Sequence, residues 1–122
     1  MAARSRKIVV GYDGSEGARR ALDAAADLVG YGSTLAVVGA RRPGVPDGQM
    51  VDSAREHLLG RQITALYLEP VGEPAAAIVD AAEGLDADLV VVGRRSALRR
   101  LVLGSVSAAV LRRAPCDVLV VR

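Results

Sequence analysis

The chain predicts an open α/β fold, five parallel strands in the order 3-2-1-4-5 with helices on both faces, and three observations carry that prediction. Short β-branched runs alternate with longer Ala-rich stretches from one end to the other, which is the pattern of a parallel sheet with crossover helices. Half of the 122 residues are apolar (51%), yet Trp and Phe are absent and there are only three Tyr. The core must therefore be Val, Leu, Ile and Ala, the makeup of a buried parallel sheet. Finally, right-handed crossovers leave few arrangements for βαβαβαβαβ, of which 3-2-1-4-5 is the most economical.

KIVVGY (7–12) is the first strand, ended by the turn cluster Asp13-Gly14-Ser15. GARRALDAAADLVGYG follows, with Ala18, Ala21, Leu22, Ala25, Leu28 and Val29 on one helical face, Ser15 as N-cap and Gly30 or Gly32 at its end. TLAVVGA is the second strand, RRPGVPDG a loop, VDSAREHLLGRQ a short helix and ITALYLEP the third strand. PAAAIVDAAEGLDA reads as a helix begun near Pro74 and stopped by Gly84. LVVVG is the fourth strand, SVSAAVLRRA a helix capped by Ser105, and DVLVV the fifth strand. Residues 1–122 make one domain, since a chain this long holds one core.

Composition removes several classes of function. LVVVG and DVLVV are far shorter than the roughly 20 apolar residues a bilayer crossing needs, and MAARSRK lacks a signal core, so a soluble cytoplasmic protein is expected. One cysteine, Cys116, cannot form an internal disulfide. The single histidine, His57, lies on a short helix away from the loops after strands one and four, which leaves a Ser-His-Asp arrangement without a base. No cluster of Cys, His and acids has metal-ligand spacing. GxxxxGK[ST] and GxGxxG are both absent. A dedicated enzyme is not expected.

The charge is informative through its placement. The net charge is only +2, but from Leu89 to Cys116 there are six arginines (94, 95, 99, 100, 112 and 113) and no acid. Nucleic acid is a weak candidate partner because stacking aromatics are scarce and the net charge is modest. In open α/β sheets ligands bind beyond the carboxyl ends of the strands where the strand order reverses, so the residues after strands one and four should face each other. Those residues are Tyr12-Asp13-Gly14-Ser15 and Gly93-Arg94-Arg95-Ser96. Gly104-Ser105-Val106-Ser107 open the fourth helix, where free N–H groups and the helix dipole favour an anion. Asp13 is open to two roles, holding the turn into the first helix or accepting hydrogen bonds from a ligand.

Three segments in order, KIVVGYDGSEGARRALDAAADL, VGEPAAAIVDAAEGLDADLVVVGRR and LRRLVLGSVSAAVLRRAPCDVLVV, resemble the universal stress protein family over nearly the whole chain. That resemblance implies a Rossmann-like five-stranded domain, a cytoplasmic location and a homodimer formed through the C-terminal edge strand, residues 117–121. One branch of the family binds ATP through a loop of the form Gly, two residues, Gly, nine residues, Gly-Ser. Here Gly93 and Gly104-Ser105 match its ends, while Ser96 stands at the middle glycine and only seven residues, Ala97 to Leu103, follow it. Serine restricts the positive φ such a turn favours, and the shorter loop has less reach, although Arg94, Arg95, Arg99 and Arg100 supply phosphate-binding guanidiniums. By resemblance Asp13 and Ala40 line the nucleoside end, Val92, Gly93 and Arg94 continue along the cleft, and Gly104, Ser105, Val106 and Ser107 hold phosphates. The implied ligand is ATP, or ADP or AMP, with Mg as a companion ion. The competing expectation is a homodimeric stress-response interaction protein that has lost nucleotide binding.

Overall fold

The computed structural model describes residues 6–30, 32–46, 48–94 and 104–122. Its elements run β1 (Lys7–Gly11), α1 (Glu16–Leu28), β2 (Thr34–Val38), α2 (Asp52–Gly60), β3 (Leu66–Leu68), α3 (Pro74–Gly84), β4 (Leu89–Gly93), α4 (Ser105–Arg113) and β5 (Asp117–Val121). The sheet order is β3-β2-β1-β4-β5, with every neighbouring pair parallel. The fold class read from the sequence is the fold observed.

Strand alternation sorts the apolar side chains into two layers. Ile8, Val10, Leu35, Val37 and Val91 pack under α1 and α2, against Ala21, Leu22, Ala25, Ala54 and Leu58. Val9, Ala36, Val38, Val90 and Val92 pack on the other face under α3 and α4, against Ala75, Ile78, Ala82 and Val110. Alanine on the inner helix faces lets helix and sheet approach closely, so the larger residues carry most of the burial. Leu22 is fully buried, and its truncation to Ala would cost about 2–5 kcal/mol.

β1, β2 and α2 end one or two residues sooner than the sequence reading has them, at Gly11, Val38 and Gly60, and three other differences have a local cause. β3 is only Leu66–Leu68, because the chain leaves α2 through a left-handed residue, Gln62 (φ 60°), and the edge strand pairs with β2 alone. α3 includes Gly84 as its last residue, and the left-handed turn falls at Asp86 (φ 53°), with the Ala87 amide reaching back to the Ala82 carbonyl at 2.9 Å. At α4 the cap is Gly104, and Ser105 is the first helical residue. Two strands, β4 and β5, have the expected bounds.

Candidate functional site

β1 and β4 lie side by side, and the chain departs from them in opposite directions, so a gap opens beyond their carboxyl ends. Around that gap the described residues form a cleft of about 470 Å³, within the usual range for small-molecule pockets. Gly11, Val38, Ile78 and Val92 give it apolar walls, while Asp13, Ser15, Arg94, Ser105 and Ser107 supply polar groups. All nine residues singled out from the sequence, Asp13, Ala40, Val92, Gly93, Arg94, Gly104, Ser105, Val106 and Ser107, line this cleft. Arg95, Ser96, Arg99 and Arg100 fall outside the described residues. The sequence reading missed Pro74 and Ile78, which α3 brings to the cleft. A right-handed crossover from β3 to β4 must carry that helix past the switch point, and this was the signal available.

The end of β4 is fixed tightly. A Cβ placed on Gly93 would lie 2.3 Å from the Gly17 carbonyl oxygen, and one on Gly17 would lie 2.6 Å from the Arg94 carbonyl oxygen. The two glycines therefore let the start of α1 rest directly on the end of β4. Arg94 continues the sheet through its amide, which donates to the Val121 carbonyl at 2.7 Å. The buried Ser107 hydroxyl donates to the Gly93 carbonyl at 2.8 Å, tying α4 to the same point. The Arg94 side chain is half-buried and has no carboxylate partner among the described residues.

Three helices begin around the cleft, and their first turns differ. At α1 the Ser15 hydroxyl accepts from the Ala18 amide at 3.1 Å. At α3 the Glu73 carboxylate accepts from Ala75 and Ala76 at 3.0 and 2.9 Å. Those two amides, Ala76 first, with a weaker contribution from Arg113, hold the Glu73 carboxyl below its ordinary range. At α4 the cap is glycine, which offers no side chain, and no described residue accepts from the amides of Ser105, Val106 and Ser107. A helix start of this kind presents donors and partial positive charge to an anion.

Asp13 is exposed, and its Oδ1 accepts from the Ser15 amide at 2.9 Å, so it shapes the turn into α1 and is also among the residues that line the cleft. His57 sits away from the cleft on α2, with Nε2 2.6 Å from Asp23 Oδ1. That hydrogen bond is the main reason the Asp23 carboxyl is held below its ordinary range, with Arg61 assisting. No histidine or lysine lines the cleft among the described residues. Nor does any group of three or more His, Cys, Asp or Glu among them hold positions suited to a metal ion. None of the described helices is long and apolar enough to cross a membrane.

Fold and cleft together define a doubly wound α/β domain with a switch-point pocket whose one open helix start is suited to an anion. The model of the universal stress protein family matches residues 4–122, and the chain belongs to that family. It is 38% identical to a universal stress protein of Thermus aquaticus, across 96% of this chain and 98% of the relative. It is 33% identical to a universal stress protein of Mycobacterium tuberculosis, with 95% of each chain covered. Among solved structures, a universal stress protein in complex with cAMP superposes with a TM-score of 0.81 at 33% identity, covering 98% of both chains. An Arabidopsis thaliana family member with AMP bound, 16% identical and with a TM-score of 0.69 over 95% of this chain and 90% of that one, shares the fold.

Proposed function

We propose that this chain is a regulatory domain that binds an adenine nucleotide in the cleft between β1 and β4. The observation that carries the reading is the open start of α4: of the three helices that begin at the cleft, it alone keeps its first amides without a side-chain cap. The phosphate would sit on the amides of Ser105, Val106 and Ser107, with the Arg94 guanidinium, which no described carboxylate engages, beside it. The nucleoside would lie along Val92, Gly93 and Ala40, with Asp13 at the mouth accepting from its ribose or base. A relative of 33% identity was solved with cAMP, which supports an adenine nucleotide with few phosphates. ATP and Mg would ask for reach and ligands from the segment after Arg94, which is two residues short of the family pattern.

The role is binding rather than catalysis, in a cytoplasmic protein: the one acid among the described cleft residues, Asp13, is exposed with Oδ1 engaged by the Ser15 amide, and no described histidine or lysine joins it. A thermal-shift titration with cAMP, AMP, ADP and Mg-ATP tests the reading, because a ligand that binds only the folded state raises the midpoint in proportion to ln(1+[L]/Kd). Stabilisation by at least one of them is expected. No shift at millimolar ligand would overturn it.

A second reading, a homodimeric interaction protein indifferent to nucleotide, has its own observation. β5 pairs only with β4, and its free edge carries Leu119, which is 38% exposed, beside Val118 and Val120. A second copy adding its own β5 would cover that edge. A dimer by light scattering whose stability ignores every nucleotide would establish this reading, and a monomer at micromolar concentration would remove it.

A further inference from the structure

Behind the cleft, on the α1 and α2 side of the sheet, a relay of contacts ends at Asp13. Tyr12 is the residue after β1, and its ring continues the inward row of Ile8 and Val10 into the core. A buried phenol needs a partner, and Tyr12 finds one in Ser53, oxygen to oxygen at 2.5 Å, in the first turn of α2. The start of α2 is itself held. Glu69, just past β3, accepts from the amide of Met50 at 2.7 Å and also from that of Gly48. Val51 packs so closely over Gly39 that a Cβ there would lie 2.9 Å from Val51 Cγ1 and 3.3 Å from the Tyr12 carbonyl oxygen. The ends of β1, β2 and β3 and the start of α2 thus meet around Tyr12. The next residue begins the turn in which Asp13 takes the Ser15 amide and Gly14 adopts φ 82°.

We infer that Ser53 is a positioning residue: its hydroxyl contact with Tyr12, which lines the cleft, fixes the Asp13-Gly14-Ser15 turn and so the affinity of the cleft, while Ser53 itself lies outside the lining. The inference rests on the nucleotide reading for its second half only. The turn's order is a property of the free protein. The affinity is a property of the complex.

Hydrogen exchange on the unliganded protein, with calorimetric titration of cAMP, tests both halves on Tyr12→Phe, Ser53→Ala, the double variant and Ser53→Thr. Losing one hydrogen bond should speed exchange of the Ser15 amide roughly three- to tenfold and weaken cAMP by a similar factor. The double variant should add nothing further, Ser53→Thr should restore wild-type behaviour, and core amides such as Val9 and Val37 should keep their protection. Unchanged exchange at Ser15 in both single variants, or a loss of protection spread evenly over the core, would overturn the inference. Wild-type protein that ignores cAMP and the other nucleotides would instead defeat the nucleotide reading, and the exchange result would still decide the role of Ser53.

Discussion

α3 and α4 lie on the same face of the sheet and both start at the cleft, yet one start is closed and the other open. Glu73 puts a carboxylate on the first amides of α3, which satisfies them and places a negative charge there. Gly104 leaves the amides of α4 to whatever enters, and Arg94, the one cationic residue among the described cleft residues, has no carboxylate partner among the described residues. The difference teaches that a helix start is not an anion site by virtue of its dipole alone. The cap decides: a carboxylate at α3 turns a phosphate away, and glycine at α4 admits one.

The most damaging way to break the comparison is to remove the seat on which both α1 and β4 rest. Gly93→Val would drive a side chain into the backbone carbonyl of Gly17, and should cost about 3 kcal/mol or more in urea unfolding. Next in size is to make α4 resemble α3. Gly104→Asp supplies the missing cap, so the free protein should gain a few tenths of a kcal/mol, while cAMP affinity should fall at least roughly tenfold, because the carboxylate occupies the amides and repels the phosphate. Smaller still is to open α3. Glu73→Ala should lower the thermal midpoint slightly and leave cAMP affinity unchanged.

The pH dependence of that last variant has a definite sign. Because the folded protein holds the Glu73 carboxyl below its ordinary pKa of 4.5, its contribution is complete above that value and is lost as pH falls through the lowered one. Wild type and Glu73→Ala should therefore differ at neutral pH and converge in acid, as thermal unfolding at a series of pH values would record.

Much of this was legible in the residues. β4 and β5 are continuous apolar runs bounded by turn residues, and Ser15 precedes a clear helical period, so their bounds and the α1 cap follow from local chemistry. β3 was overextended because ITALYLEP is β-prone throughout, whereas only the part alongside β2 finds a ladder partner. Glutamate is an uncommon N-cap, so Glu73 carried no signal for its role, and Ser105 drew the cap assignment that belongs to Gly104. The clefts' second layer was hidden for a different reason. Tyr12 and Ser53 are 41 residues apart and Gly48 and Glu69 are 21 apart, and no periodicity encodes such pairs.

The central claim is that the uncapped start of α4 receives the phosphate, and calorimetric titration of cAMP into wild type, Gly104→Asp and Glu73→Ala tests it most directly. The account predicts saturable binding to wild type and to Glu73→Ala, and its loss in Gly104→Asp with the fold retained. Equal affinity for wild type and Gly104→Asp, or a loss in Glu73→Ala matching that in Gly104→Asp, would contradict it.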